Sequence, residues 1–126
     1  MRKQYHFWPT ETGDGVDAWD VNRLVKRTRN LAVVRVDLDS IGEVDSNYWF
    51  DATTEPPVRR VVAHMGATLD VDATWPIISG SDRRVMDGMH RVCRAMLGDE
   101  LTIRAVRFDM DPQPDYRNCD PAELPY

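Results

Sequence analysis

Residues 75–108 read WPIISGSDRRVMDGMHRVCRAMLGDELTIRAVRF, and this segment constrains the fold more than any other part of the chain. Two brief apolar runs flank the turn-formers Ser79 to Asp82, the pattern of two short strands joined by a turn. The second strand is expected to end at Met86. Beyond it Met89, Val92, Cys93, Met96 and Leu97 recur at i, i+3, i+4, i+7 and i+8, the spacing of one helical face. Gly98 then stands where a helix-terminating glycine belongs. LTIRAVRF supplies a further strand. A strand that passes almost directly into a helix leaves only Asp87 and Gly88 for the turn between them.

That turn has a chemical consequence. The first N–H groups of a helix have no partner inside it, and the helix dipole adds partial positive charge there, so a helix start suits an anion. Asp87 is expected to cap the helix, while Gly88 lets the backbone turn sharply and admits a close approach. Met89, His90 and Arg91 occupy the first turn. Arginine offers a forked donor to phosphate oxygens, and histidine adds a hydrogen bond or a charge. Spacing therefore suggests a phosphate site at Asp87 to Arg91.

The rest of the chain reads as one α+β domain with two extended ends. Residues 1–15 are aromatic-rich and then glycine-rich, without clear periodicity, and read as a segment lying over the body. From Asp17, Val21, Leu24 and Val25 step at helical spacing, and Asn30 is placed to end that helix in a left-handed conformation. LAVVRVDLDSI puts Ala32, Val34, Val36 and Leu38 opposite Arg35, Asp37 and Asp39, a strand over 31–39 with one wet face. The stretch 42–57 reads as loop, with Tyr48, Trp49 and Phe50 packing down or lining a pocket.

A helix over 57–69 follows, capped by Thr53 or Thr54, with Pro56 or Pro57 in its first turn and an apolar stripe at Val58, Val61, Val62, Met65 and Leu69. Arg60 and His64, four apart, stand one above the other on a neighbouring face: a solvated face or a basic wall beside an anion site. The tail 109–126 holds four of the eight prolines and is expected to be extended, poor in regular structure and docked through Leu124 to Tyr126.

Composition narrows the function classes. With 42% apolar and 29% charged residues in 126, the chain can bury a core of its own without cross-links. No apolar run approaches the ~20 residues that span a bilayer, and MRKQYHFWPTETG lacks the apolar core of a signal peptide, so the expected location is the cytoplasm, with no membrane partner. Cys93 and Cys119 have no partners at metal-binding spacing, and Cys93 falls on the apolar helix face as a small hydrophobe. A net charge of −5 opposes nucleic acid, so DNA binding by this chain alone is not expected.

VMDGMHRVCRAML, preceded by PIIS and followed by TIRAVRF, resembles the signature region of the ParB/sulfiredoxin superfamily, in which a strand, a Gly-x-His-Arg or related turn and a helix form a nucleotide-phosphate site. The resemblance covers residues 75–108, and more weakly 31–39 and 57–69, leaving the two ends outside it. It implies a small mixed sheet packed with helices. It implies that Gly88, His90 and Arg91 contact phosphates of ATP, ADP or CTP, with Arg60 and His64 on the phosphate side. Comparison with the superfamily's free-serine kinases points to Glu43, with Asp45 as second choice, as base, and to Asp87, Glu43 and Asp45 as carriers of magnesium.

The departures also inform. Sulfiredoxin activity needs a cysteine where Met89 stands, and a thioether cannot attack as a thiolate does. The DNA-binding and dimerisation regions that follow this domain in partition proteins have no counterpart in the proline-rich tail. Three readings follow: a nucleotide-binding domain acting as a small-molecule phosphotransferase or nucleotide hydrolase, a non-catalytic ParB-like binding module, and a DNA-associated accessory protein. A second copy of the chain is a further candidate partner.

Overall fold

The structure, a computed structural model, describes residues 3–10, 12–50 and 56–126. Its strands form two sheets. A four-stranded mixed sheet is assembled from β3 (Val34–Asp37), β4 (Ile77–Ser79), β5 (Val85–Asp87) and β6 (Thr102–Arg107) in the order β3-β6-β4-β5, with β4 and β6 parallel and the other pairs antiparallel. A three-stranded antiparallel sheet joins the two ends of the chain: β1 (Tyr5–Pro9), β2 (Val16–Asp20) and β7 (Tyr116–Cys119), in the order β1-β2-β7. The α-helices among the described residues are α1 (Val21–Arg27), α2 (Val58–Asp70) and α3 (Met89–Leu97). None is long and apolar enough to cross a membrane.

The four-stranded sheet is apolar on both faces, and the two-residue alternation of a strand sorts its side chains into two cores. Ile77, Val85 and Ala105 join Leu38, Ile41, Met89 and Val92 in one cluster, which carries α3. Their neighbours Ile78, Met86 and Val106 join Trp19, Leu24 and Phe108 in the other, which carries β2 and α1. One side of the sheet thus seats α3, and the other seats the terminal sheet.

The tail docks through Leu124 to Tyr126 as expected, but both ends carry strands that the sequence did not suggest. Residues 5–9 form a hairpin with 16–20, and four residues of the proline-rich tail pair with the same strand. The tail is held further by Trp19 Nε1 donating to the Pro112 carbonyl at 2.8 Å, by Asp20 N–H donating to Asp115 at 2.8 Å, and by an Arg23–Asp115 ion pair at 2.9 Å. Leu124 is buried, and the Tyr5 hydroxyl donates to the Pro125 carbonyl. Long-range pairing of this kind leaves no local periodicity to read.

Three further expectations change. The helix expected from Asp17 starts at Val21, because 16–20 belong to β2; Asp20 caps it by accepting from Asn22 N–H, and Thr28, not Asn30, closes it. The strand over 31–39 is confined to 34–37 at a sheet edge with Val34 exposed, and Leu38 turns into a short 3₁₀ segment to reach the core. On α2 the apolar stripe faces solvent: Val58, Val62, Met65 and Leu69 are all exposed, while His64 is half-buried and Thr68 buried on the side that meets α3. The small Thr68 and flat His64 let the two helices approach. Pro57 sits at the cap position of α2, and Thr53 and Thr54 lie outside the described residues.

Candidate functional site

The start of α3 is built around Gly88. Its φ of 110° is left-handed, a conformation that favours glycine, and it occupies the cap position of the helix with no side-chain cap bond. Asp87 is therefore not the cap. It is the last residue of β5, and its carboxylate accepts from Arg91 Nη2 at 2.8 Å in a half-buried ion pair. A Cβ on residue 88 would lie 2.8 Å from Arg91 Nη2 and 2.8 Å from Ile77 Cγ2. The close approach that requires glycine is thus made by the protein's own arginine and isoleucine.

Gly88, Met89 and His90 open onto a cavity of about 730 Å³. Its rings come from across the chain: Tyr5, Phe7 and Trp8 of β1, Tyr48 and Trp49 of the loop before α2, and Tyr126 of the tail. Glu43, Asp87 and Lys3 are the charged groups of its wall. Gly88, Met89 and His90 open α3 without a side-chain cap on its first-turn N–H groups.

His64 and His90 meet at this helix start. His64 Nδ1 and His90 Nε2 are 2.9 Å apart, a hydrogen bond in which one ring donates and the other accepts. Trp49 stacks on both, with centroids at 4.2 Å from His64 and 4.7 Å from His90. Burial pulls both histidines below their ordinary value, helped by Arg60 for His64 and by the paired ring for His90, against an opposing pull from Asp87. The downward shifts favour the neutral rings, each keeping one N–H, and one of those protons lies in the hydrogen bond between them. Arg60 lies outside the cavity wall, exposed, with its guanidinium 5.2 Å over the Phe50 ring.

The carboxylates divide between the cavity wall and the surface. Glu43 accepts from Val85 N–H, which ties the loop after β3 to β5, and burial together with Glu43 and Asp87 pushes the Tyr48 hydroxyl up to about 12. Asp45 is exposed and does not line the cavity. Glu43 and Asp87 share the cavity wall while Asp45 does not, and among the described residues no three His, Cys, Asp or Glu side chains gather as a metal centre needs. Cys93 is half-buried, and its thiol is pushed up by burial, which suits packing rather than reactivity.

Arg91 points elsewhere. Together with Arg94 it lines a second cavity, of about 350 Å³, against Arg35 of β3 and Arg104 of β6. The sequence motif Gly-Met-His-Arg is thus divided between two walls. The terminal aromatic residues and the arginines of β3 and β6 were not legible as site residues, because cross-strand register brings them together. No family model, curated protein or solved structure matches this chain.

Proposed function

We propose that this protein binds a phosphate-bearing small molecule with an aromatic ring, of the class of ATP, ADP or CTP, in the larger cavity. The observation that carries the reading is the left-handed Gly88, which opens the uncapped N–H groups of α3 beside a ring-walled cavity. A phosphate is held by the N–H groups of Met89 and His90, Lys3 supplies positive charge from the wall, and an aromatic base packs against Trp49 or Tyr48. Magnesium, where the nucleotide brings it, stays on phosphate oxygens and water, which suits a wall without a preformed carboxylate cage.

Where the bound ligand is turned over, the proton is handled by the His64–His90 pair. Both rings are neutral, and a neutral imidazole can accept a proton from water or a hydroxyl. Glu43, held by the Val85 N–H, fixes the wall, and Asp45 has no part in this reading. A ParB-like binding module without chemistry is the same reading minus turnover.

Thermal shift with ATP, ADP and CTP, each with and without magnesium, tests it. A ligand that binds only the folded chain raises the midpoint, by about 2.7 kcal/mol of stability at a hundredfold excess over Kd. His90→Ala leaves the backbone N–H in place but removes the ring that stacks on Trp49 and holds His64, and is expected to weaken binding about tenfold. The absence of any shift at millimolar nucleotide removes the proposal.

A further inference from the structure

The smaller cavity carries a second site. Arg91 and Arg104 are half-buried in its wall, and Arg35 and Arg94 stand exposed beside them. Glu100 is the only acid of the wall, and Asp72 lies near enough to feel the charge of Arg91 while accepting from Thr74. Arg91 is neutralised by Asp87. Among the described residues Arg35 bonds only the Thr102 hydroxyl, at 3.3 Å, and neither Arg94 nor Arg104 has an ion-pair partner.

The register sharpens this. Arg35 and Arg104 are direct partners across the antiparallel β3–β6 pair. Like charges placed opposite each other on a sheet destabilise it. Arg35 and Arg104 share the sheet face of Thr102 and Val106, and Arg91 and Arg94 of α3 line the same cavity from the other face, beside residues 102–104 that β4 does not pair, although the net charge is −5. An anion between them converts the repulsion into attraction, and guanidinium forks match phosphate oxygens two at a time. The three guanidiniums that lack an ion-pair partner among the described residues carry more positive charge than the roughly −1.5 to −2 of one phosphate can balance. Linked phosphates can.

We propose that this cavity binds an oligophosphate, a small molecule carrying two or more linked phosphates, independently of how the larger cavity is used. Arg104 and Arg94 hold the phosphates, Arg35 closes over them from the edge strand, and the exposed ring of Trp75 stands in the same wall for any base attached. A volume of about 350 Å³ lies in the range of small-molecule sites, and the acidic remainder of the molecule repels a long polyanion.

Isothermal titration of the full chain with inorganic triphosphate, at low and at high salt, tests the site. Binding is expected at low salt and weakened at high salt. The R94A/R104A protein is expected to lose at least tenfold in affinity, while Asp45→Ala is unchanged. Arg35→Thr provides a second variant that removes the cross-strand repulsion, so it is expected to keep or raise the melting temperature without ligand and to shrink the shift with triphosphate. ATP binding more tightly than triphosphate, with the difference lost in Trp75→Ala, identifies a nucleotide-borne phosphate chain; equal affinities identify the inorganic one. Absence of triphosphate binding at millimolar concentration, unchanged affinity in R94A/R104A, or tighter binding of a short single-stranded oligonucleotide overturns the proposal.

Discussion

The two walls that α3 presents differ in chemistry although they begin one residue apart. His90 faces a cavity of rings, with Trp49 stacked on it and few charges; Arg91 faces a cavity of guanidiniums. The difference is a matter of helix geometry. Successive residues turn by roughly 100° around the axis, so neighbours in sequence look in different directions. A string such as Gly-Met-His-Arg therefore does not specify one cradle, and the helix start serves two surfaces of unlike polarity.

The largest expected effect falls on both walls at once. Gly88→Ala places a side chain at φ 110° and drives its Cβ into Arg91 and Ile77, so the folded state should lose roughly 3 kcal/mol in a urea titration. A loss within experimental error would mean that the junction of β5 and α3 relaxes freely, and the division between the walls would lose its structural cause.

Acid should act on the ring-lined side. Burial, with Arg84 nearby, lowers His6 from 6.5 to about 4, against the smaller opposing pulls of Asp82 and Asp111. The unfolded chain takes up this proton below pH 6.5 and the folded chain only near 4, so stability is full above 6.5 and is lost as pH falls between those values, by up to roughly 3 kcal/mol. His64 and His90 are shifted in the same direction and add to the slope. Unfolding midpoints across that window should flatten in His6→Leu. An unchanged slope would place the acid sensitivity elsewhere.

Smaller changes separate the walls. Asp87→Asn removes the partner of a half-buried guanidinium and should cost about 1–2 kcal/mol while leaving triphosphate affinity equal or tighter, because Arg91 is freed. Weaker triphosphate binding would show that the Asp87 pair orients Arg91 for its cavity. At the bottom of the scale, Asp45→Ala should change stability by less than about 0.5 kcal/mol and leave nucleotide binding and any turnover intact. Loss of turnover alone would restore Asp45 as the base.

The sequence was most legible where a single local rule decides. α3, its glycines at both ends, and the β4 and β6 strands follow from helical spacing, turn chemistry and short apolar runs. Legibility fell where partners are distant in the chain. Residues 5–9 and 116–119 have no pattern that announces a sheet, since each is a strand only by virtue of Val16–Asp20 between them. The stripe on α2 was legible as a stripe, but its direction was not: His64 and Thr68 win the contact with α3, and the aliphatic residues remain outside.

The candidate site shows the same limit. Gly88, His90 and His64 could be found from spacing, and His64 and His90 do come together, whereas Asp87 turned from cap to ion-pair partner and Glu43 proved to accept from Val85 N–H across the fold. Each outcome concerns which backbone or side-chain group a carboxylate meets, and that is set by packing. The cross-strand pair of Arg35 and Arg104 is invisible without register.

The central claim is that α3 separates two anion sites of different character. Isothermal titration of ADP and of inorganic triphosphate into R94A/R104A, alone and combined with His90→Ala, tests it most directly. The account predicts that R94A/R104A still binds ADP at one site, that adding His90→Ala weakens that binding about tenfold, and that triphosphate affinity is already lost in R94A/R104A. Loss of both ligands together in R94A/R104A would contradict it, and would mean that the arginines and the helix start form a single site.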